Sequence, residues 1–407
     1  AELAICRMVV GDATGSAALA RSHYEGLADQ PGAEHVRAEL ALTLARSLVS
    51  LGSARESLNV IGEALWLAEL AGDAELLTRA MNVLATYNSS HGSSRVALAI
   101  SREIIEIAAA EGLWRQLFGA KMNMSLMLRL RNLTECREMI HQASETMQEH
   151  GLSRTLVWAN LSTVSWNAGD WVEHEQLVRS VAADTLPPGD LAIVYATDLW
   201  RRSAGLDAIL ERPEGTSDDL NFLSWDTHIR AVEALWSGDG ARAAELAGRA
   251  LEHALADAGM TDDYIAHLPR MVRVAVVAGQ PRAARAMIEQ VEASPRGLVS
   301  PALRAYESAL RGLVGSHLGA DPAAVESDLR AGIAALTAYG AVPDRALAQE
   351  DLGGWLASQG RHAEAAELLS AARTTYAELG ATAWLERLNH YSVAPASAGP
   401  AAVSGSG

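Results

Sequence analysis

Glycine, or a residue in its place, recurs along this chain at a nearly constant interval of about forty residues. Each of these positions separates two segments in which apolar residues follow the 3.6-residue period of an amphipathic helix. Repetition at such an interval predicts stacked helical hairpins, each of which buries its apolar face against its neighbours. No segment alternates strictly between apolar and polar residues, so we expect no β-sheet. The repeated positions are Gly11, Gly52, Gly92, Arg131, Gly169, Gly205, Gly238, Gly279, Gly319 and Gly360.

The last unit shows the pattern of a single hairpin. Its first helix is predicted over residues 345–359 and its second over residues 363–379, with Gly360 in the turn between them. Gly380 is predicted to end the second helix, because glycine accepts the positive φ of a helix C-terminus without steric cost. In several units a small residue follows the turn by five positions, where it would let the two helices approach closely: Ala97, Cys136, Ala243, Ala284, Ala324 and Ala365.

The predicted helical array covers residues 1–391. Its units shorten to 36 and 33 residues between Gly169 and Gly238, and prolines 187, 188 and 213 lie in the same stretch. We therefore predict a weak subdomain break near residues 187–215. Residues 392–407 combine turn formers and small side chains without periodicity, which predicts a disordered tail.

Composition narrows the choice of partners and compartment. The net charge of −17 disfavours nucleic acids and anionic membrane surfaces, since both are bound by basic side chains. The two cysteines, Cys6 and Cys136, form no CxxC pair, and no apolar run is long enough to span a membrane. These features indicate a cytoplasmic protein. The chain begins at Ala1 inside a helical pattern, which is consistent with a fragment of something longer.

The turn glycine with a small residue five positions later resembles the tetratricopeptide repeat. Residues 352–388, LGGWLASQGRHAEAAELLSAARTTYAELGATAWLERL, resemble the C-terminal repeats of actinobacterial signal-transducing ATPase regulators, both cyclase-like and LuxR-type. The resemblance implies an all-α, right-handed superhelical solenoid of about ten tetratricopeptide-like hairpins that acts as a sensor or docking surface beside an ATPase module. The chain itself departs from the full architecture, because its single lysine, Lys121, does not lie in a phosphate-binding loop.

Catalytic and metal-binding signatures are missing from the sequence. No two histidines lie three or four residues apart on one helix face, as a zinc-binding helix requires. The acidic pairs at 218–219 and 262–263 could be paired carboxylates, but their places beside turns favour helix capping. We therefore expect no enzyme activity, no metal and no cofactor.

The inner helices of the array supply the candidate binding surface. In tetratricopeptide arrays the first helix of each unit lines a concave groove, and counting back from each turn by the family's pattern selects eleven residues. Aromatic rings supply contact area, and arginine supplies bidentate donors. Because tryptophan on a helix more often packs in the core, a structural role is the alternative for each residue, and Trp158, Trp200 and Trp355 are predicted core. The predicted groove residues are Asn82, Lys121, Arg129, Trp166, Asn167, Tyr195, Arg202, Trp225, His228, Trp236 and Arg273.

The sequence thus favours a non-catalytic interaction or sensor module of a cytoplasmic bacterial signalling or transcriptional regulator. Its groove would bind a peptide, a protein domain or a small effector. Two alternatives stay open: a stand-alone scaffold that bridges partner proteins, and the accessory region of an enzyme whose catalytic domain lies elsewhere.

Overall fold

Helices make up nearly all of the chain that the structure describes. Twenty α-helices and no strand are present within that part of the chain, which confirms the predicted all-α fold of repeated helical hairpins. The predicted tail at 392–407 lies outside the described residues, as do Gly11, Gly52 and Gly92. The structure, a computed structural model, describes residues 2–9, 12–28, 30–51, 53–90, 94–151, 155–180, 186, 188–212, 220–297 and 299–391.

The helices form two compact units. Unit 1 comprises Ala1–Arg129 and Glu135–Val157. Its helices pair in chain order around a core of small and branched apolar residues, such as Ala41, Ile61 and Ala80. Its helices are α1 (Glu2–Val9), α2 (Ala13–Gly26), α3 (Glu34–Ser50), α4 (Ala54–Ala71), α5 (Ala74–Ser90), α6 (Ser94–Ala110), α7 (Trp114–Arg129) and most of α8 (Leu133–Glu149).

Unit 2 comprises Leu130–Thr134 and Trp158–Gly407. The predicted weak break near residues 187–215 falls inside this unit and stays a prediction. The helices of unit 2 are most of α9 (Thr155–Ala168), then α10 (Trp171–Ser180), α11 (Pro188–Ser203), α12 (Leu220–Trp236), α13 (Gly240–Ala258), α14 (Asp262–Val277), α15 (Pro281–Glu292), α16 (Pro301–Leu318), α17 (Pro322–Tyr339), α18 (Val342–Ser358), α19 (His362–Leu379) and α20 (Thr382–Leu388).

The turns follow the sequence pattern closely. Gly380 caps α19 in the left-handed conformation at φ 69°, as predicted. The described turn glycines within the hairpins also have positive φ: Gly169, Gly205, Gly238, Gly279, Gly319 and Gly360. Five of the six small residues predicted to lie between paired helices are at most 1% exposed: Ala97, Cys136, Ala243, Ala284 and Ala365.

Two local predictions are wrong. Ala324 is exposed and Val325 is buried in its place, because α17 starts at an Asp321 cap that shifts the register by one residue. In the repeat unit whose turn contains Gly205, residues 206–212 do not form the predicted second helix. There the buried Asp198 carboxylate accepts the backbone N–H groups of Ile209 and Leu210 (3.1 and 3.2 Å), which holds the chain as a loop.

Substitution by alanine is expected to have opposite effects on stability at two helical glycines. A Cβ on Gly332 in α17 would lie 2.5 Å from the backbone of Ala309 in α16, whereas a Cβ on Gly248 in α13 would meet nothing within 4 Å. We expect Gly332→Ala to destabilise the protein by about 1–3 kcal/mol through overpacking. Gly248→Ala should stabilise it by about 0.5–1 kcal/mol, because alanine has less conformational freedom to lose. Urea unfolding of both variants measures the two signs, and equal shifts would contradict this packing of α16 on α17.

The C-terminal helix closes unit 2 on itself. The N–H of Ala383 donates to the carbonyl of Ala204 (3.0 Å), and the Thr382 hydroxyl donates to the carbonyl of Gly205 (3.1 Å), a residue 177 positions away. Trp384 of α20 lies edge-on to Trp171 of α10, with 5.6 Å between ring centroids. These contacts bring the last helix of the unit against α10 and α11.

Candidate functional site

A cavity of about 880 Å³ lies within unit 2. Its walls come from the first helices of successive hairpins, α9, α11, α12, α14, α16 and α18, and from α20. The volume falls within the range of about 300–1,000 Å³ that is typical of small-molecule sites. The inner face of the predicted array is therefore, in unit 2, a cavity that α20 walls on one side.

One wall of the cavity is aromatic and aliphatic. Trp166, Trp200 and Trp384 line it together with the apolar side chains of α12 and α14. Trp236 and Val277 also line it, yet they are 46% and 73% exposed. Large apolar side chains that are both solvent-exposed and cavity-lining indicate an apolar mouth, since such patches commonly mark binding surfaces.

A second part of the wall consists of ion pairs. Arg273 of α14 donates to the carboxylate of Asp351 of α18 from Nη2 and Nη1, at 2.7 and 3.3 Å. Burial alone would lower the pKa of Arg273, but the adjacent Asp351 charge raises it overall, so the guanidinium stays protonated. Arg387 of α20 pairs in the same bidentate way with the buried Glu350, at 2.6 Å for both bonds.

The remaining two charges of the wall have neutral partners. Arg270 donates from Nη2 to the side-chain oxygen of Asn167 (2.6 Å). Asp344, which is 6% exposed, accepts the hydroxyl of Tyr306 (2.8 Å). Burial and then the Asp344 charge raise the pKa of Tyr306 well above its ordinary value, so this hydroxyl stays a donor.

A buried hydrogen-bond chain lies behind the aromatic wall. Trp200 donates from its indole N–H to Nε2 of His228 (3.0 Å), and the Nδ1 atoms of His228 and His267 lie 2.7 Å apart. Nε2 of His267 lies 3.2 Å from the hydroxyl oxygen of Ser224. Because His228 accepts at Nε2, a neutral His228 carries its proton on Nδ1 and donates it to His267. Each hydrogen bond of this series thus has one donor and one acceptor when both imidazoles are neutral.

Three of the predicted groove residues line the cavity: Trp166, Trp236 and Arg273. Asn167 does not line the cavity, but its side-chain oxygen accepts a hydrogen bond from Arg270, which does. Tyr195, Trp225 and His228 are at most 3% exposed and belong to the interior of unit 2. Arg202 donates to the carbonyl of Leu210 (3.1 Å) and so fixes the loop after α11.

The three predicted residues of unit 1 contact their own unit. Asn82 accepts a hydrogen bond from Asn123 (2.8 Å). Lys121 donates to the hydroxyl of Thr146 (2.9 Å) on the paired helix, and Arg129 is buried. A role for these residues in binding stays a prediction.

The sequence reading missed most of the charged wall. Arg270 lies one helical turn before Arg273 on the same face of α14, a spacing that could have selected it. The carboxylates Asp344, Glu350 and Asp351 lie on α18, the first helix of the last hairpin, and are not among the predicted groove residues. Trp200, predicted core, is half-buried and lines the cavity, whereas Trp158 is buried as predicted.

Two features are absent from the part of the chain that the structure describes. No cluster of three or more histidine, cysteine or acidic side chains is arranged there to hold a metal ion. None of the described helices is both long and apolar enough to cross a membrane.

The sequence matches no protein-family model and no curated protein. Among solved structures, a similar chain belongs to the crystal structure of the APC/C hetero-tetramer Cut9-Hcn1, at 14% identity and a TM-score of 0.31, covering 97% of this chain and 86% of that one. Another is a circular tandem repeat protein with novel repeat topology and enhanced subunit contact surfaces, at 15% identity and a TM-score of 0.17, covering 96% and 86%. At such values the biology of neither protein transfers to this chain.

Proposed function

We propose that this chain is a non-catalytic binding module that receives its ligand in the cavity of unit 2. The observation that carries the proposal is the cavity itself, which combines a ligand-sized volume, an apolar mouth and a polar wall. Sites for small organic ligands have this composition, because apolar surface supplies affinity and a few placed polar groups fix orientation. An occupant of this volume is a small effector or a short peptide segment, not a folded domain.

The wider role follows from the sequence resemblance and is part of the same proposal. The last hairpin resembles repeats of actinobacterial signal-transducing ATPase regulators, so the module would serve as the sensor of a cytoplasmic regulator with an attached ATPase. Because α20 forms one wall of the cavity, a ligand that fills it would stabilise α20 in its observed position. Such a ligand regulates an attached domain only if its affinity differs between two conformations of the chain.

A matched pair of substitutions tests the cavity as a binding site. Val277 and Val172 are 73% and 69% exposed on helices of unit 2, and only Val277 lines the cavity. We expect the fluorescent probe 1-anilinonaphthalene-8-sulfonate to bind the full chain. Val277→Trp should weaken that binding by about tenfold, since the larger ring occludes the mouth.

Val172→Trp serves as the control, because it adds the same ring to an equally exposed helix face. It should leave the titration unchanged. Equal affinity of the probe for both variants, or no saturable binding to the unaltered chain, would overturn the proposed site.

A further inference from the structure

The cavity wall holds two charged side chains whose hydrogen-bond partners are neutral, although the Asp344 charge also attracts Arg273, which is itself paired with Asp351. Among the described residues, Arg270 has the Asn167 amide as its side-chain partner, and Asp344 has the Tyr306 hydroxyl. Nη1 of Arg270 is buried without any hydrogen-bond acceptor in that part of the chain. A charge held by neutral partners is incompletely compensated for its desolvation, so both groups gain from a ligand of opposite charge.

The two groups face a common region of the site. Asp344 accepts the Tyr306 hydroxyl, and Arg270 lies close enough to the same tyrosine for its positive charge to oppose part of the rise in the Tyr306 pKa. Both Arg270 and Asp344 line the cavity, as does the apolar mouth at Trp236 and Val277. A cation and an anion near Tyr306 therefore line the same cavity as the apolar mouth.

We propose that the cavity binds a small zwitterion with apolar side chains, of which an apolar dipeptide is the simplest representative. The inference rests on the proposed function and names the ligand class of the same site. The ligand carboxylate would pair with Arg270 and its ammonium with Asp344, while its side chains lie against Trp236 and Val277. Nη1 of Arg270 has almost no accessible surface, so pairing with the ligand carboxylate would require the guanidinium to rotate toward it.

The charge of the whole wall argues against other ligand classes. Three arginines and three carboxylates line the cavity, so its formal charge balances. Arg273 and Arg387 are already engaged in bidentate pairs with Asp351 and Glu350. A phosphate-bearing ligand would need an excess of positive charge, and a polyamine would need an excess of negative charge. A zwitterion leaves the balance intact and satisfies both incompletely paired groups.

Calorimetric titration of the full chain with L-leucyl-L-leucine tests the inference. The N-acetylated dipeptide lacks the ammonium, and the C-terminal amide lacks the carboxylate, but both keep the apolar side chains. We expect the free dipeptide to bind and each blocked form to bind at least about tenfold more weakly, since each loses one charge-assisted contact.

Substitutions then assign each end of the ligand. Arg270→Met should weaken the free dipeptide by about tenfold or more, yet it should leave the affinity of the amide unchanged, because the amide has no carboxylate to lose. Asp344→Asn keeps an acceptor for Tyr306 and should weaken the free dipeptide while leaving the N-acetylated form unchanged. Melting temperatures of both variants show whether they fold. The variant Arg270→Lys keeps the positive charge and should retain more affinity for the free dipeptide than Arg270→Met does.

The outcomes separate the inference from the proposed function. No binding of the free dipeptide, or equal binding of free and blocked forms, overturns the zwitterion assignment. If the naphthalene probe still binds and responds to Val277→Trp, the cavity remains a binding site and only the ligand class is wrong. If neither the probe nor the dipeptide binds, both proposals fall.

Discussion

Replacing Trp384 with alanine should destabilise unit 2 by about 3–5 kcal/mol, the range expected for truncating a buried tryptophan. Trp384 is 5% exposed and packs edge-on against Trp171 and Tyr376, with ring centroids 5.6 and 5.2 Å away. It is the aromatic residue through which α20 reaches α10, so its loss weakens the contact that closes the unit. A fall in the urea midpoint, followed by circular dichroism, measures the effect.

Trp236→Ala is the matched control for this substitution. Trp236 also lines the cavity, but it is 46% exposed, so its truncation should cost less than about 1 kcal/mol. Both variants should lose affinity for the naphthalene probe, Trp384→Ala through an opened wall and Trp236→Ala through the loss of apolar surface at the mouth. A Trp384→Ala protein as stable as the Trp236→Ala protein would show that α20 does not close unit 2.

Acidification should destabilise the protein through histidines that are buried without charge. Burial lowers the pKa of His174 to about 4, and burial together with His267 lowers the pKa of His228. In the unfolded chain these imidazoles titrate near 6.5, so the unfolded state binds more protons below that pH. Their stabilising contribution is therefore complete above about pH 6.5 and declines as the pH falls toward 4. For His174 alone the loss is about 3 kcal/mol.

The substitution His174→Gln isolates the contribution of His174 to this pH dependence of stability. Urea unfolding between pH 7 and 4.5 should show a pH slope that is smaller by up to about 1.4 kcal/mol per pH unit, the contribution of one proton. His362→Gln, which removes an exposed imidazole, is the control substitution. An unchanged slope in the His174→Gln protein would mean that this imidazole is not buried in its neutral form.

The helical repeat could be predicted from the sequence because its determinants are local. Turn glycines such as Gly360 and Gly380 take the positive φ that their places in the pattern require. Buried small residues such as Ala365 follow the turn at a fixed distance. The prediction failed at Ala324, where one extra turn residue changed the register, and after Gly205, where the buried Asp198 captured backbone N–H groups that a helix would have used.

The cavity could be predicted only in part, because it depends on contacts distant in sequence. Counting back from the turns selected the inner face of the first helices, and it found Trp166, Trp236 and Arg273. The same count also selected Trp225 and His228, which neighbouring helices bury. The pairing of Arg387 with Glu350 depends on where α20 packs, and no local pattern in the sequence encodes that position.

We propose that unit 2 holds a ligand site between its first helices and α20. Anomalous diffraction from crystals grown with a brominated analogue of the naphthalene probe would locate the bound molecule, since bromine marks its position. We predict one bromine peak per chain inside the cavity, between the side chains of Trp236 and Trp384. A peak elsewhere on the protein, with the cavity empty under saturating probe, would contradict the account.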